Sequence, residues 1–223
     1  VRVYSDVDLD KLPSFAYEEL VRILDREGEW SNDKHDHPTK WGIIQATADA
    51  CGITKPLHEI TYTEALQCWA LGWWFNSRYD MVAQVSELIC SQIIDTSGPA
   101  GVSQGTKHMQ NMLNQLNDPV DAGGNRYGVD LEEDGLIGGK TVSRLQAYIS
   151  HRGQEGIFIF AMIMNAYQAS HYRFTAERNE GKRDFIFGWW RERVFRDMVA
   201  IAEAYQQWLN EPHNQPDNYL GIT

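Results

Sequence analysis

Asp25-Arg26-Glu27-Gly28-Glu29-Trp30-Ser31-Asn32-Asp33-Lys34-His35-Asp36-His37-Pro38-Thr39-Lys40-Trp41-Gly42-Ile43 is the most informative stretch of this 223-residue chain. A glutamate closes an amphipathic run, a segment crowded with carboxylates follows, and Thr-x-x-Gly-Ile leads back to apolar sequence. Upstream, Phe15, Leu20, Ile23 and Leu24 fall near helical spacing. They predict a helix over 15–26, with Ser14 as N-cap and Glu18 close to the capping-box position. Segment 28–39 has no hydrophobic period and reads as a loop. A Glu at a helix end, against apolar neighbours, is kept protonated by desolvation, whereas an Asp on a wet loop stays ionised. Glycoside cleavage needs that asymmetry: one acid to protonate the leaving oxygen, one carboxylate to activate water or steady the cationic transition state.

Working outward, the rest of the chain is also helical in pattern. A short helix is predicted over 43–50, ended by Gly52. Thr63 and Glu64 open a longer one towards Tyr79, and 81–94 reads as another with Val82, Val85, Leu88 and Ile93 on one face. Asp95-Thr96-Ser97-Gly98-Pro99-Ala100-Gly101 reads as a helix-breaking linker. Helices are expected again over 104–116, 140–151, 156–175 and 185–210, with a Gly- and Asp-rich loop or small β-hairpin insertion around 117–139. Strand-like alternation is scarce, so the chain is mainly α.

A net charge of −11 excludes nucleic acid as the main partner, because binding phosphates needs a basic face. Between His171 and Arg196, however, seven Lys or Arg stand against four acids, a local +3. This patch reads first as salt-bridged helix surface. The longest apolar run, 156–164, is too short to span a bilayer. No segment reads as a signal peptide, since the N-terminus carries Asp6, Asp8 and Asp10. The chain opens on Val1 instead of Met, which leaves room for an upstream segment. Cys51, Cys68 and Cys90 make an odd count without Cys-x-x-Cys spacing, so buried thiols are the default reading. One disulfide is left open for an oxidising compartment.

The opening stretch resembles the signature of glycoside hydrolase family 108, the phage-type N-acetylmuramidases, which runs roughly E-G-G-Y-x-N-D-x-x-D-P-G-G-x-T-x-x-G-I. Glu27 and Gly28 match its start, Asn32, Asp33 and Asp36 its middle, and Thr39, Gly42 and Ile43 its close. Glu29 replaces the second Gly, Trp30 the Tyr, and His37-Pro38 the longer P-G-G-x. Ile60-Thr61-Tyr62-Thr63-Glu64-Ala65, with Trp69, Trp73, Trp74 and Phe75 beyond it, is similar to the family's L-T-x-E-E-A and aromatic segment. Asp134-Gly135-Leu136-Ile137-Gly138-Gly139-Lys140-Thr141 and Phe187-Gly188-Trp189-Trp190 with Arg193-Val194 resemble motifs of the helical peptidoglycan-binding region that accompanies it. The resemblance implies a lysozyme-like catalytic region over 1–97 and a helical peptidoglycan-binding-type region over 98–223 packed against it. It implies cleavage of the β-1,4 bond between N-acetylmuramic acid and N-acetylglucosamine, by a phage endolysin or virion lysin acting on the host cell wall, in the periplasm or from the virion.

Under that reading Glu27 is the general acid. Asp36, eight residues on, is the preferred second carboxylate and Asp33 the other candidate. Thr39 positions the attacking water, or serves only as a turn residue. Trp30 and Trp41 flank the polar loop as sugar-stacking faces, with Tyr62 and Glu29 as further substrate contacts, whereas Trp73 and Trp74 read as packing. Asp33, His35, Asp36 and His37 lack zinc-ligand spacing. Asp6-x-Asp8-x-Asp10 lacks the glycine and glutamate of a calcium loop. No metal and no cofactor are therefore expected, and the partner is the glycan strand of peptidoglycan, met by a monomer. A lytic transglycosylase, or a non-catalytic wall-binding or virion protein of the same shape, are the alternatives.

Overall fold

The computed structural model describes residues 2–32, 37–117, 126 and 128–211. Asp33, Lys34, His35 and Asp36 lie outside them, as does most of 118–127. Helices make up nearly all regular structure, and the only β pairing among the described residues is two isolated bridges, Ser31 with Thr39 and Lys40 with Ile43. The chain is mainly α, as its patterning predicts, and lysozyme-like, as the resemblance implies.

Helix α1, Ser14–Glu27, buries Leu20, Ile23 and Leu24 of the expected stripe together with Ala16, while Phe15 is partly buried. Its N-cap is Pro13, with no side-chain cap, so the capping box expected at Ser14 is absent. A capping box does occur at Thr61, whose side chain and that of Glu64 satisfy each other's backbone N–H groups. It opens α3, Tyr62–Trp69, slightly earlier than the pattern suggests, and α3 continues through a wider π-type turn to Asn76. Short α2, Gln45–Ala50, is tied to α3 by a Cys51–Cys68 disulfide with Cα atoms 5.7 Å apart, so two of the three cysteines are not thiols. Cys90 is free and buried, and burial pushes its thiol upward.

The region from 79 to 101 departs most from the sequence reading. The single helix expected over 81–94 is two: α4, Tyr79–Ala83, and α5, Glu87–Ala100, with the hydroxyl of Ser86 capping the Ile89 N–H at 3.3 Å. The linker expected at 95–101 is instead the last turns of α5, and the break comes only at Gly101, with φ +85°. Thr96 and Ser97 do not disrupt the helix, because their hydroxyls donate to the carbonyls of Gln92 and Ile93, each at 2.7 Å. Pro99 is tolerated in the final turn.

Helix α6, Val102–Gln115, folds back on α5, and Gly105 lets the two meet: a Cβ there would overlap the Ser97 hydroxyl. Helix α7, Gly139–Arg178, is two segments kinked at Gly153 (φ +62°), close to where the sequence separates them. The described part of the 117–139 segment contains no strand. Helix α8, Arg183–Trp189, passes through a π-type stretch, Trp190–Phe195, into α9, Arg196–Leu209. One buried cluster runs from Val7 to Met164. Helix α5 lies at its centre, packed on α1, α6 and α7. Dispersion and apolar burial there bind both halves of the chain into one core.

Candidate active site

Glu27 is the last residue of α1, and Gly28, with φ +74°, turns the chain sharply out of the helix. The following loop is pinned on itself. Ser31 and Thr39 exchange backbone hydrogen bonds of 2.9 and 2.8 Å, and the Trp41 N–H returns to the Gly28 carbonyl at 3.1 Å. Trp41 has φ +47°, strained for a bulky residue, and the Trp69 indole donates to its carbonyl at 3.0 Å. Beside it Gly42 presses on the glutamate: a Cβ at Gly42 would lie 2.8 Å from Glu27 Cγ and 3.0 Å from the Trp69 ring. Its φ of +75° also favours glycine. Thus the Thr-x-x-Gly-Ile segment has a physical task, which is to bring the returning end of the loop against the Glu27 side chain.

Glu27 stands at the shared rim of two hollows. The larger, about 670 Å³, is lined on the α1 side by Arg26, Glu27, Ser31, His37 and Thr39. Its opposite side is Lys182, Asp184, Phe185, Trp189, Glu192 and Arg193. The smaller, about 300 Å³, shares Glu27, Lys182, Trp189 and Arg193 and adds Gly42, Trp69, His171 and Tyr172. Trp189 stacks between Tyr172 (centroids 5.0 Å) and Phe185 (6.1 Å), so a row of flat rings runs along this wall. Burial lowers the affinity of His171 for a proton, which favours the neutral ring.

The setting of Glu27 differs from the apolar wall expected. Its side chain is about one-third exposed, and its carboxylate accepts a hydrogen bond of 2.6 Å from Arg193 Nη2. Arg193 in turn lies 3.5 Å, through Nη1, from Asp95, whose Oδ1 also takes Arg26 Nη1 at 2.7 Å. Gln168 donates to the other Asp95 oxygen at 2.6 Å. Asp95 is fully enclosed. Although burial opposes its charge, Arg193 and Arg26 hold its carboxyl below the usual carboxylate range. Burial likewise opposes the charge on Arg193, yet Asp95, Tyr172 and Glu27 raise its guanidinium above the ordinary arginine value. A second set lies further along α1, where Glu19 meets Arg22 and Ser91 and Arg22 reaches Asp197 of α9 at 3.3 Å.

Of the residues singled out in the sequence, Glu27 and Thr39 line the cleft together. Asp33 and Asp36 lie outside the described residues. Trp41, Tyr62 and Glu29 are absent from the described lining. Trp41 packs edge-on against Tyr62 at 5.6 Å, Tyr62 donates to Asp25 at 3.1 Å, and Glu29 lies 3.9 Å from Lys40 at the surface. Trp30 is half exposed and borders a separate hollow with His37, Pro38 and Leu57. The sequence reading does not place the opposite wall in the cleft: Lys182, Asp184, Phe185, Trp189, Glu192 and Arg193. Trp189 and Arg193 stand out there only as parts of a motif of the peptidoglycan-binding region, and the cationic excess after His171 reads as helix surface. Among the described residues no group of three or more His, Cys, Asp or Glu is placed to hold a metal ion.

Residues 20–98 match the family model Glycosyl hydrolase 108, and residues 104–194 match the Predicted Peptidoglycan domain. No curated protein matches the chain. Among solved structures, one titled "Structure of Brucella abortus SagA" superposes with a TM-score of 0.58 at 18% identity, covering 85% of this chain and 94% of that one, a likeness of fold. The chain therefore joins, in order, a Glycosyl hydrolase 108 region and a Predicted Peptidoglycan domain, and is a glycoside hydrolase of peptidoglycan.

Proposed function

We propose that the chain is an N-acetylmuramidase, cleaving the β-1,4 bond between N-acetylmuramic acid and N-acetylglucosamine with Glu27 as general acid. One observation carries this reading: Glu27 lies where two hollows meet, so a glycan strand running through both presents its linking oxygen to that carboxyl. Proton donation to the leaving oxygen lets the C1–O bond break, and an oxocarbenium-like centre remains for water to capture. The presence of Thr39 in the same cleft lining as Glu27 supports a role in placing that water. Asp36 stays the preferred second carboxylate and Asp33 the other. Sugar rings would rest on Trp189 and Phe185, which take over the stacking role expected of Trp30 and Trp41. Glu29 and Tyr62 keep at most an outer role.

The Cys51–Cys68 disulfide supports work in an oxidising place such as the periplasm, and the phage-type signature supports an endolysin or virion lysin acting there as a monomer. The test is zymography on purified peptidoglycan with wild type beside Glu27→Gln. Clearing is expected from the wild type and lost in the variant, by a factor of about 10³ or more in rate. Equal clearing by both rejects the assignment. Mass spectrometry of the fragments then reads the acceptor. Products carrying an added water fit a hydrolase, and anhydro ends would identify a transglycosylase.

A further inference from the structure

We infer that Arg193, ion-paired at 3.5 Å with Asp95, is the positioning residue for Glu27, so that the region containing the Predicted Peptidoglycan domain completes the catalytic centre instead of only gripping the wall. The inference rests on the reading of Glu27 as the acid. Three other elements converge at the carboxylate that faces this guanidinium. Asp95 comes from α5, Arg26 from α1 and Gln168 from α7, and with Arg193 they meet at a single enclosed carboxylate. The backbone beside Arg193 is fixed as well, because Asn165 of α7 donates to the Val194 carbonyl at 3.0 Å. Gly98 leaves room for the guanidinium: a Cβ there would come within 3.1 Å of Nη1. The side chain is only 7% exposed, so it has little freedom to swing away from Glu27.

This geometry has a direct chemical use. Arg193 Nη2 engages Oε1 of Glu27, which leaves Oε2 to carry the proton. When the O–H bond at Oε2 breaks and a new one forms at the glycosidic oxygen, the C1–O electron pair moves to the leaving group. Glu27 is then a carboxylate. The guanidinium already in place stabilises that charge without reorganising, the kind of fixed donor that favours a transition state. It also holds the carboxyl in one rotamer, where a misplacement of an ångström costs much of the rate. Lysine cannot substitute fully, since a single ammonium does not bridge Asp95 and Glu27 as a planar fork does.

The alternative is that the Asp95–Arg193 pair merely fastens the last helices to α5. The two are separated by steady-state kinetics on a soluble glycan substrate, combined with thermal melts, for full-length Arg193→Gln and Arg193→Lys beside Glu27→Gln. Positioning predicts a kcat about 10²-fold lower for Arg193→Gln, with KM within a few-fold of wild type. Arg193→Lys should lie between Arg193→Gln and wild type. A fastening role predicts a lower melting temperature with wild-type kcat per folded molecule. A folded Arg193→Gln with wild-type kcat overturns the inference. Should Arg193→Gln not fold, Arg193→Lys decides: wild-type kcat overturns the inference, and a fall of about tenfold at unchanged KM supports it. If Glu27→Gln itself turns over normally, the muramidase reading fails. An inactive Glu27→Gln beside a fully active Arg193→Gln removes this inference alone.

Discussion

At the scale of single residues, Glu27 is shaped as much by what is small beside it as by what is charged. Gly42 has no Cβ in a place where one would overlap the Glu27 side chain, and its backbone sits in the left-handed region. Gly42→Ala must therefore push Glu27 or distort the loop's return. We expect kcat to fall by roughly 10²-fold from misplacement of the acid. Stability should drop by about 1–2 kcal/mol, because a positive φ does not suit alanine. Kinetics and a denaturant melt on the purified variant check both, and a Gly42→Ala enzyme with unchanged kcat would mean Glu27 is not held from this side. Glu27 and Gly42 were both legible in the sequence, for they share one short stretch with its turn residues. Arg193 was visible only as part of a motif near the end of the chain, and its contact with Glu27 was not, because 166 residues separate the two. Asp95 was hidden differently. In a run of Asp, Thr, Ser, Gly and Pro its local company signalled a turn, and only tertiary partners, two arginines and a glutamine, make it a buried helical carboxylate.

Elements show the same division between local and distant causes. Helices whose apolar stripes repeat every three or four residues, such as α1 and α6, lie within a residue or two of the expected bounds. The α4–α5 break is invisible to pattern because Val82, Val85, Leu88 and Ile93 keep a helical rhythm straight across the Ser86 cap. Between α1 and α9 the contacts are ionic and partly enclosed, which gives the pairing a pH dependence. Burial raises Glu19 from 4.5 to about 7, outweighing Arg22 and the Ser91 hydroxyl, while Asp95 and Asp197 add to the rise. Burial and Asp95 raise Asp197 from 3.8 to about 6 against Arg22, Arg26 and Arg193. For both, the folded state binds protons more tightly than the unfolded one. Their stabilisation is full below about pH 4 and is lost as the pH rises through about 6 and 7. The unfolding free energy from urea melts should thus lose roughly 1–3 kcal/mol from these two groups between about pH 5 and pH 8, and Glu19→Gln should flatten the fall. A Glu19→Gln variant whose fall across this interval matches that of wild type would refute the assignment. The Cys51–Cys68 bridge acts on the other flank, closing a short loop between α2 and α3. Reduction without unfolding should cost about 3 kcal/mol, seen as a lower melting temperature in reductant, with Cys51→Ser/Cys68→Ser matching the reduced protein.

For the molecule as a whole, the question is whether the two matched regions are modules or one body. The sequence suggests a seam at 95–101. Instead, α5 crosses the seam as continuous helix and carries Ile89, Ile93 and Ile94, none of them accessible to solvent, through the middle of the shared cluster. Helices α6 and α7 cover part of that surface. A fragment ending at Gly101 would return much of it to water. At roughly 1.5–3 kcal/mol for each large aliphatic side chain, the loss rivals the roughly 5–15 kcal/mol by which a domain is usually stable. It would also lose the Trp189 wall of the cleft and the cation on Glu27. We therefore expect residues 1–101 alone to show no cooperative thermal transition and no lytic activity, and adding residues 102–211 as a separate polypeptide to restore little of either. A modular enzyme behaves otherwise, its catalytic half folding alone and losing only affinity for the wall. Circular dichroism melts and zymography on the fragment distinguish the two, and a sharp transition accompanied by clearing would show that the shared core is dispensable.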